Sequence, residues 1–335
     1  MTGIDTSLLG DVRQLVLEIL DDHRQAGLPT GFDAELWQAL AGSELLQLGE
    51  VEELGVRATM TVVGELAAAG ALLPVAEHDL LAGWLCGLAG IERLSGIATV
   101  GFLDADERAH AVPWAVAAER VLLVDPAGRI AVTGPEQFTL TPGQNLAGEG
   151  RDELRLTQPV DWVDVGAPVR NGLLARGALV RAVQMVVTGA RAVELMIDHA
   201  REREQFGRPI ARFQAVQQLI ADAAAEAELA RTATDWALGR LADGAVGDDL
   251  DHAVAVARSC AGQAASVIAR NAHQVHGAIG TTAEHRLHRS TVPLLAWRSE
   301  FGTQTYWEQR LLELLRPAVT REDRLLPQVM LSRSG

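Results

Sequence analysis

The sequence contains no lysine: all 29 basic residues are arginine, set against 44 acidic ones, for a net charge of −15. A GC-rich genome explains that choice without any demand for guanidinium chemistry. So acidic a surface argues against nucleic acid or an anionic membrane as partner. Only two cysteines are present, Cys86 and Cys260. They are too few for a disulfide framework or a thiolate metal cluster, so a reduced, cytoplasmic setting is expected. The first fourteen residues lack a basic stretch followed by an apolar block, and no secretory signal is expected. No long hydrophobic run occurs either. The most apolar one, Leu80 to Ile91, is too short to span a bilayer and reads as a core helix. No repeat, low-complexity linker, Ser-His-Asp set, Cys-His pair or phosphate loop is found, so hydrolase and kinase chemistry have no support.

Nearly half of the 335 residues are apolar, ample for a large core, and their periodicity changes along the chain. Residues 1–93 read as an N-terminal helical domain. Leu8, Val12, Leu15, Ile19 and Leu20 recur at helical spacing and stop at Gly27-Leu28-Pro29. Asp33 is a candidate N-cap for a short second helix ending near Gly42, and Leu54 to Leu73 and Glu77 to Ile91 read as two more. Residues 94–165 hold short β-branched runs (IATVGFL, HAVPWAVAA, RVLLVD, RIAVTG, EQFTLT) with a hairpin signal at Asp125-Pro126-Ala127-Gly128. Residues 166–335 return to long helices, Arg176 to Arg203, Phe213 to about Leu241, Asp249 to His276 and Leu294 to Leu315, whose facing apolar stripes predict an antiparallel bundle. The fold class expected is mainly α with a small β-domain.

Two stretches carry chemistry. The first is REREQFGRPIARFQ, where Arg203 closes a long helix and Gln205-Phe206-Gly207, Pro209 and Phe213-Gln214 follow. A cation suits a helix C-terminus, and Gly and Pro are ordinary stop signals; neither explains the joint pattern. The second is NAHQVHGAIG, Asn271 to Gly280. Its glycine spacing fits neither a dinucleotide fingerprint nor a phosphate loop, but it allows close backbone approach to a flat or charged ligand. His273, His276, Glu284, His285 and His288 lie nearby, yet no helix offers an Asp or Cys partner at set spacing, and no metal site is expected.

Together these stretches resemble the acyl-CoA dehydrogenase family. Arg203, Phe206, Gly207 and Gln214 match its Arg-x-x-Phe-Gly pattern and following Gln. Gln274, Gly277 and Gly280 match its Gln-x-x-Gly-Gly-x-Gly pattern, with Ala278 in place of the middle glycine. The order of zones matches the family's helical domain, β-domain and four-helix bundle. The resemblance implies FAD shared at a subunit interface, with both motifs reaching a partner's cofactor. It implies that Arg203 pairs with the pyrophosphate, that Gln214 and Gln274 add hydrogen bonds, and that Gln205, Phe206, His276, Gly277 and Ala278 make further contacts. A planar guanidinium suits phosphate oxygens bidentately.

The sequence departs from the family where the reaction needs a carboxylate to take the α-proton of a CoA thioester. Phe301-Gly302-Thr303 stands where the family carries Glu-Gly-Thr, and the alternative base station, on the helix that ends at the Arg motif, falls near Gly177, with Arg176 and Ala178 beside it. Glu300, one residue before the first station, would point about 100° away on a helix. The flavin-wrapping motifs of the β-domain are also missing, so that domain is reduced. These losses resemble the α2β2 heterotetrameric members, in which two unequal homologous chains share one active site. The expectation is a subunit that helps hold FAD while a homologous partner supplies the base, acting on an acyl-CoA, possibly steroid-derived by analogy. The alternatives are a self-sufficient homo-oligomer using Glu300, and a flavin-free scaffold or regulatory subunit.

Overall fold

The structure is a computed structural model that describes residues 6–24, 31–50, 55–282 and 284–319. The stop expected at Gly27-Leu28-Pro29, and the tail after Val319, lie outside the described residues. Helix α1 (Thr6–Arg24) turns Val12, Val16 and Leu20 inward and leaves Leu15 partly in water. Helix α2 (Ala34–Gly42) starts as expected: the Asp33 carboxylate accepts the Leu36 N–H at 2.9 Å, satisfying a donor the first helical turn leaves open. Helix α3 (Gly55–Ala69) follows. The next segment differs from a plain helix. Ala76–Ala82 form a wide π turn, all buried, which runs on into α4 (Gly83–Ala89) and ends at Gly90 with φ 64°. The wide turn brings Glu77, His78 and Asp79 into the interior.

Seven strands follow. Strand β1 (Ala98–Phe102) runs parallel to β3 (Arg120–Val124); β3 pairs antiparallel with β4 (Arg129–Thr133), and β4 with β7 (Val163–Asp164). A second sheet has the order β2 (Arg108–Pro113), β6 (Arg151–Leu156), β5 (Phe138–Thr141). The hairpin signal at Asp125–Gly128 is a tight turn: Asp125 Oδ1 accepts the Ala127 and Arg129 N–H groups, and Gly128 takes φ 84°. The β-branched runs located five of the strands. They missed β6, whose inward positions are Asp152, Leu154 and Leu156. A carboxylate there breaks the apolar alternation, and it is buried because the amides of Gly143 and Val116 donate to it.

Helix α5 (Pro168–Glu202) is the bundle's axis, against which α3, α6 (Gln214–Ala242), α7 (Gly247–His276) and α8 (His288–Trp297) pack. Among the described residues it is the one helix long and apolar enough to cross a membrane, and its apolar window is 67% buried inside the fold, as a core helix is. Helices α6 and α7 meet through alanine stripes (Ala223, Ala227, Ala230 and Ala237 against Ala253, Ala257, Ala261 and Ala264), buried at i, i+3 and i+4 spacing. The helix expected over Leu294 to Leu315 is two helices, α8 and α9 (Gln304–Val319), separated by a turn in which Phe301 has φ 49° and Gly302 φ 93°. That break forms one of the two regions with chemical character.

Candidate functional site

The first region is at one end of the bundle, where α5 and α7 both finish. The helix stop read at Gly207 and Pro209 is a two-residue hairpin. Strands β8 (Glu204–Gln205) and β9 (Arg208–Pro209) pair across Phe206 and Gly207, both with positive φ (52° and 74°). That is the mirror-image turn whose twist fits a tight hairpin. The turn holds Phe206 at its tip, 90% exposed. The Phe213 ring lies edge-on to it at 6.1 Å and beneath the Arg208 guanidinium at 4.3 Å. Arg203 caps α5 with its main chain only: its N–H donates to the His199 carbonyl, and its own carbonyl accepts the Ile210 N–H. Its side chain is exposed and forms no ion pair with a carboxylate among the described residues. Gln205 and Gln214 are exposed beside it.

Helix α7 ends at Gly277 (φ 61°) in a short 3-10 turn, Gly277–Thr281, leaving Gln274, Gly277 and Ala278 exposed. Ala278 has no positive φ, so the backbone there does not require the glycine it replaces. The two motifs share this end of the bundle, since the His276 ring stacks on that of His199, one helical turn before Arg203 (4.5 Å between centroids, 23° between planes). The His276 side chain does not face outward; it is buried, with Nδ1 on the Ala272 carbonyl at 2.8 Å. Its main chain, beside the exposed Gly277, is the part open to a cofactor lying across the bundle's end. The exposed groups fit a phosphate-bearing cofactor presented from outside the chain: an unpaired guanidinium, three primary amides and a bare glycine turn.

The second region is the α8–α9 break, where an aromatic ring packs onto α5. Phe301 lies flat against Gly177: a Cβ added to Gly177 would sit 2.2 Å from Phe301 Cδ1. The two stations expected for a catalytic carboxylate are therefore in contact with each other and filled by an aromatic ring. Phe102 meets that ring edge-on at 6.5 Å, and the Arg181 guanidinium is 5.4 Å from its centroid. The fully buried Arg258 places Nη2 within hydrogen-bond distance of the carbonyls of Trp297, Arg298, Glu300 and Gly302. Trp307 Nε1 donates to the Phe301 carbonyl at 2.9 Å. These inward-turned carbonyls hold Phe301 in a left-handed conformation that a non-glycine residue otherwise avoids. Burial and then the neighbouring Arg181 push Arg258 down to about 9, still charged at neutral pH.

Glu300, the alternative base, is not on a helix and is not free. Its carboxylate accepts from Arg151 Nε and Nη2 (2.9 and 2.7 Å), Arg181 Nε (2.7 Å) and Asn145 Nδ2 (2.8 Å). Arg181 continues the network to Glu77 (2.6 Å) and Gln184, and Arg151 to Glu149, which also accepts the Trp297 indole N–H at 2.7 Å. Burial alone would raise the Glu300 carboxyl; the Arg181 and Arg151 charges overcome that and hold it at about 2. Four donors occupy its lone pairs and it barely takes up a proton near neutrality, so within this network it acts as an anion that ties the segments together. The network was invisible in sequence because its members come from four separate segments. A cleft of about 940 Å³ opens onto the network, lined among others by Phe102, His110, Arg151, Leu174, Glu300 and Phe301.

Replacing Gly177 by Ala is expected to destabilise the chain by about 1–3 kcal/mol, since the new methyl has no space unless the Phe301 ring moves. In a Phe301→Ala background the same change should be nearly neutral. Urea titrations of the four proteins check the cycle.

Residues 164–306 match the family of the acyl-CoA dehydrogenase C-terminal domain. The match falls on the helical bundle, and the chain as a whole has an acyl-CoA dehydrogenase fold. Among curated proteins it is similar to the acyl-CoA dehydrogenase FadE34 of Mycobacterium tuberculosis, 28% identical over 253 residues; the match takes in 70% of this chain and 34% of FadE34. The chain thus spans about a third of that relative's length. Among solved structures it superimposes on a variant of the Tcur3481–Tcur3483 steroid ACAD with a TM-score of 0.82 at 22% identity, over 94% of this chain and 99% of the other. The ChsE4–ChsE5 complex of Mycobacterium tuberculosis gives 0.81 at 23% identity, over 93% and 98%.

Proposed function

We propose that this chain is the non-catalytic subunit of a heteromeric, flavin-dependent acyl-CoA dehydrogenase, paired with a homologous chain that carries the catalytic base. The observation that carries this reading is the contrast between the two regions. The Phe301 ring fills both carboxylate stations against Gly177, while the Arg203 and Gln274 motifs stand exposed at the bundle's end. FAD bound across that end would supply the hydride acceptor for α,β-dehydrogenation of a CoA thioester. Arg203 would grip the pyrophosphate, Gln205, Gln214 and Gln274 would donate along the adenosine side, and the main chain from Val275 to Ala278 would lie against the cofactor. Phe206 would cover one edge of it and exclude water. The chain's own α8–α9 region would contribute no proton transfer, because Glu300 is held as an anion by two arginines. Among the similar folds, the two-component Tcur3481–Tcur3483 and ChsE4–ChsE5 assemblies support a homologous partner, and the first, a steroid ACAD, supports a steroid-derived thioester as substrate.

Purification of the chain alone, and together with a co-expressed homologue carrying the Glu-Gly-Thr base, tests the reading. The chain alone should be colourless and inactive. The mixture should co-elute, carry flavin and dehydrogenate a steroid-derived CoA thioester. Stoichiometric flavin and full activity in the chain alone would overturn it, as would a colourless complex.

A further inference from the structure

The histidines at the bundle's end have no task in that reading. His199 on the last turn of α5, His276 on the last turn of α7 and His285 in the loop before α8 cluster together, and their ligand-capable atoms all lie within 4.8 Å of one another. His276 is 5% exposed and its Nε2 has no hydrogen-bond partner. A buried polar atom with nothing to bond is costly and uncommon in a native interior. Its orientation is set, however: Nδ1 is engaged by the Ala272 carbonyl at 2.8 Å, which fixes the proton on Nδ1 and leaves a bare lone pair on Nε2. A carbonyl on the far ring nitrogen is the outer-shell contact that metal-bound histidines usually make.

We propose that His199, His276 and His285 form a site for a divalent transition-metal ion of the zinc class, a three-imidazole set with its fourth position open to water. Three neutral nitrogen donors suit zinc, cobalt or nickel better than magnesium or calcium, which prefer oxygen. The rings are neutral around pH 7. Burial first, then the neighbouring imidazoles, push His276 down to about 4, and burial likewise lowers His199 and His285. A proton therefore does not compete with the ion for these nitrogens.

Two adjustments accompany binding. Tetrahedral zinc–nitrogen bonds of about 2.0–2.1 Å bring donor atoms to roughly 3.3 Å from one another, so the rings must close in. His199 has to swing out of its stack on His276, and it is only half-buried, with room to do so. His285 Nδ1 accepts the Leu287 N–H at 3.1 Å, so coordination through either ring nitrogen exchanges that hydrogen bond for a metal bond. The charges beside the site are mixed: Glu202 and Arg203 near His199, Arg286 near His285. The ion would clip together the ends of α5 and α7 and the loop leading into α8, the elements that carry both exposed motifs. The site stands whether or not the chain holds flavin.

The test uses the untagged full-length chain, stripped with chelator and desalted. Zinc or cobalt at one equivalent should remain bound through a second desalting at one ion per chain, raise Tm, and with cobalt give a visible ligand-field band. His199→Asn and His285→Asn, at partly exposed positions where the fold should survive, should each weaken binding by more than the roughly ten- to hundredfold typical of losing an outer-shell partner. His110→Asn and His252→Asn should leave it unchanged. Less than one tightly held ion per chain, or equal affinity in the His199→Asn/His285→Asn double variant, would overturn the proposal.

Discussion

Changing Arg203 to Ala will lower flavin retention by the assembled complex about ten- to hundredfold, while the chain's own stability stays within about 0.5 kcal/mol of wild type. The two halves of this expectation rest on one geometry. The guanidinium is exposed and makes no ion pair with a carboxylate among the described residues, whereas the helix end is satisfied by Arg203 main-chain bonds to His199 and Ile210, which Ala preserves. Any loss must then come from something outside the chain. A charge-assisted hydrogen bond to phosphate is worth about 1.5–3 kcal/mol, which sets the range. Arg203→Lys should fall between, keeping the charge but losing the planar fork. Flavin absorbance after gel filtration, with fluorescence of the released cofactor on dilution, measures both variants. Unchanged flavin content in Arg203→Ala would remove this residue from the cofactor site. A drop in Tm matching the loss of flavin in the isolated chain would assign it a folding role instead.

The parts of the molecule that could be read from sequence are those governed by local chemistry. Helices α6 and α7 fall within two residues of their expected bounds, because long amphipathic alanine-rich segments need no distant information. Asp33 capped α2 as its residue type predicts. What escaped depends on groups remote in sequence. The break between α8 and α9 is held by Arg258, a residue of α7, whose guanidinium collects four carbonyls of the turn. Nothing between Leu294 and Leu315 announces that. The Gln205-Phe206-Gly207 stop is a hairpin since strand pairing of Glu204 with Pro209 competes with simple termination. The counting that brought Phe301 and Gly177 to the two base stations treated them as independent vacancies, yet they are one packed contact. An aromatic ring in one station requires the absence of a Cβ in the other. The burial of the His276 ring escaped for a related reason: Gln274 and Gly277 near it are exposed, while the ring itself is covered by His199 from another helix.

Arg181→Met should destabilise the chain by about 3–5 kcal/mol, the cost typical of removing one partner from a buried ionic network. Tm would fall by on the order of 10 °C. Arg181 is 1% exposed and stands between two carboxylates, Glu77 at 2.6 Å and Glu300 at 2.7 Å, so its loss leaves two anions facing each other with one guanidinium, Arg151, still on Glu300. Glu300→Gln tests the same network from the other side. It leaves Arg151 on Glu149 and Arg181 on Glu77, so it should cost less than Arg181→Met, and it should leave turnover per folded complex unchanged. A general base would lose about 10²- to 10⁴-fold. Acid sensitivity separates the roles further. The Glu300 carboxyl is held at about 2 when folded, below its ordinary value of 4.5. Its contribution is therefore complete above pH 4.5 and is lost as pH falls from there toward 2, at most of order 3 kcal/mol. Glu300→Gln should flatten the stability profile in that window and leave it unaltered above pH 6. A profile as steep as that of wild type, or a collapse in turnover at neutral pH, would return Glu300 to the chemistry.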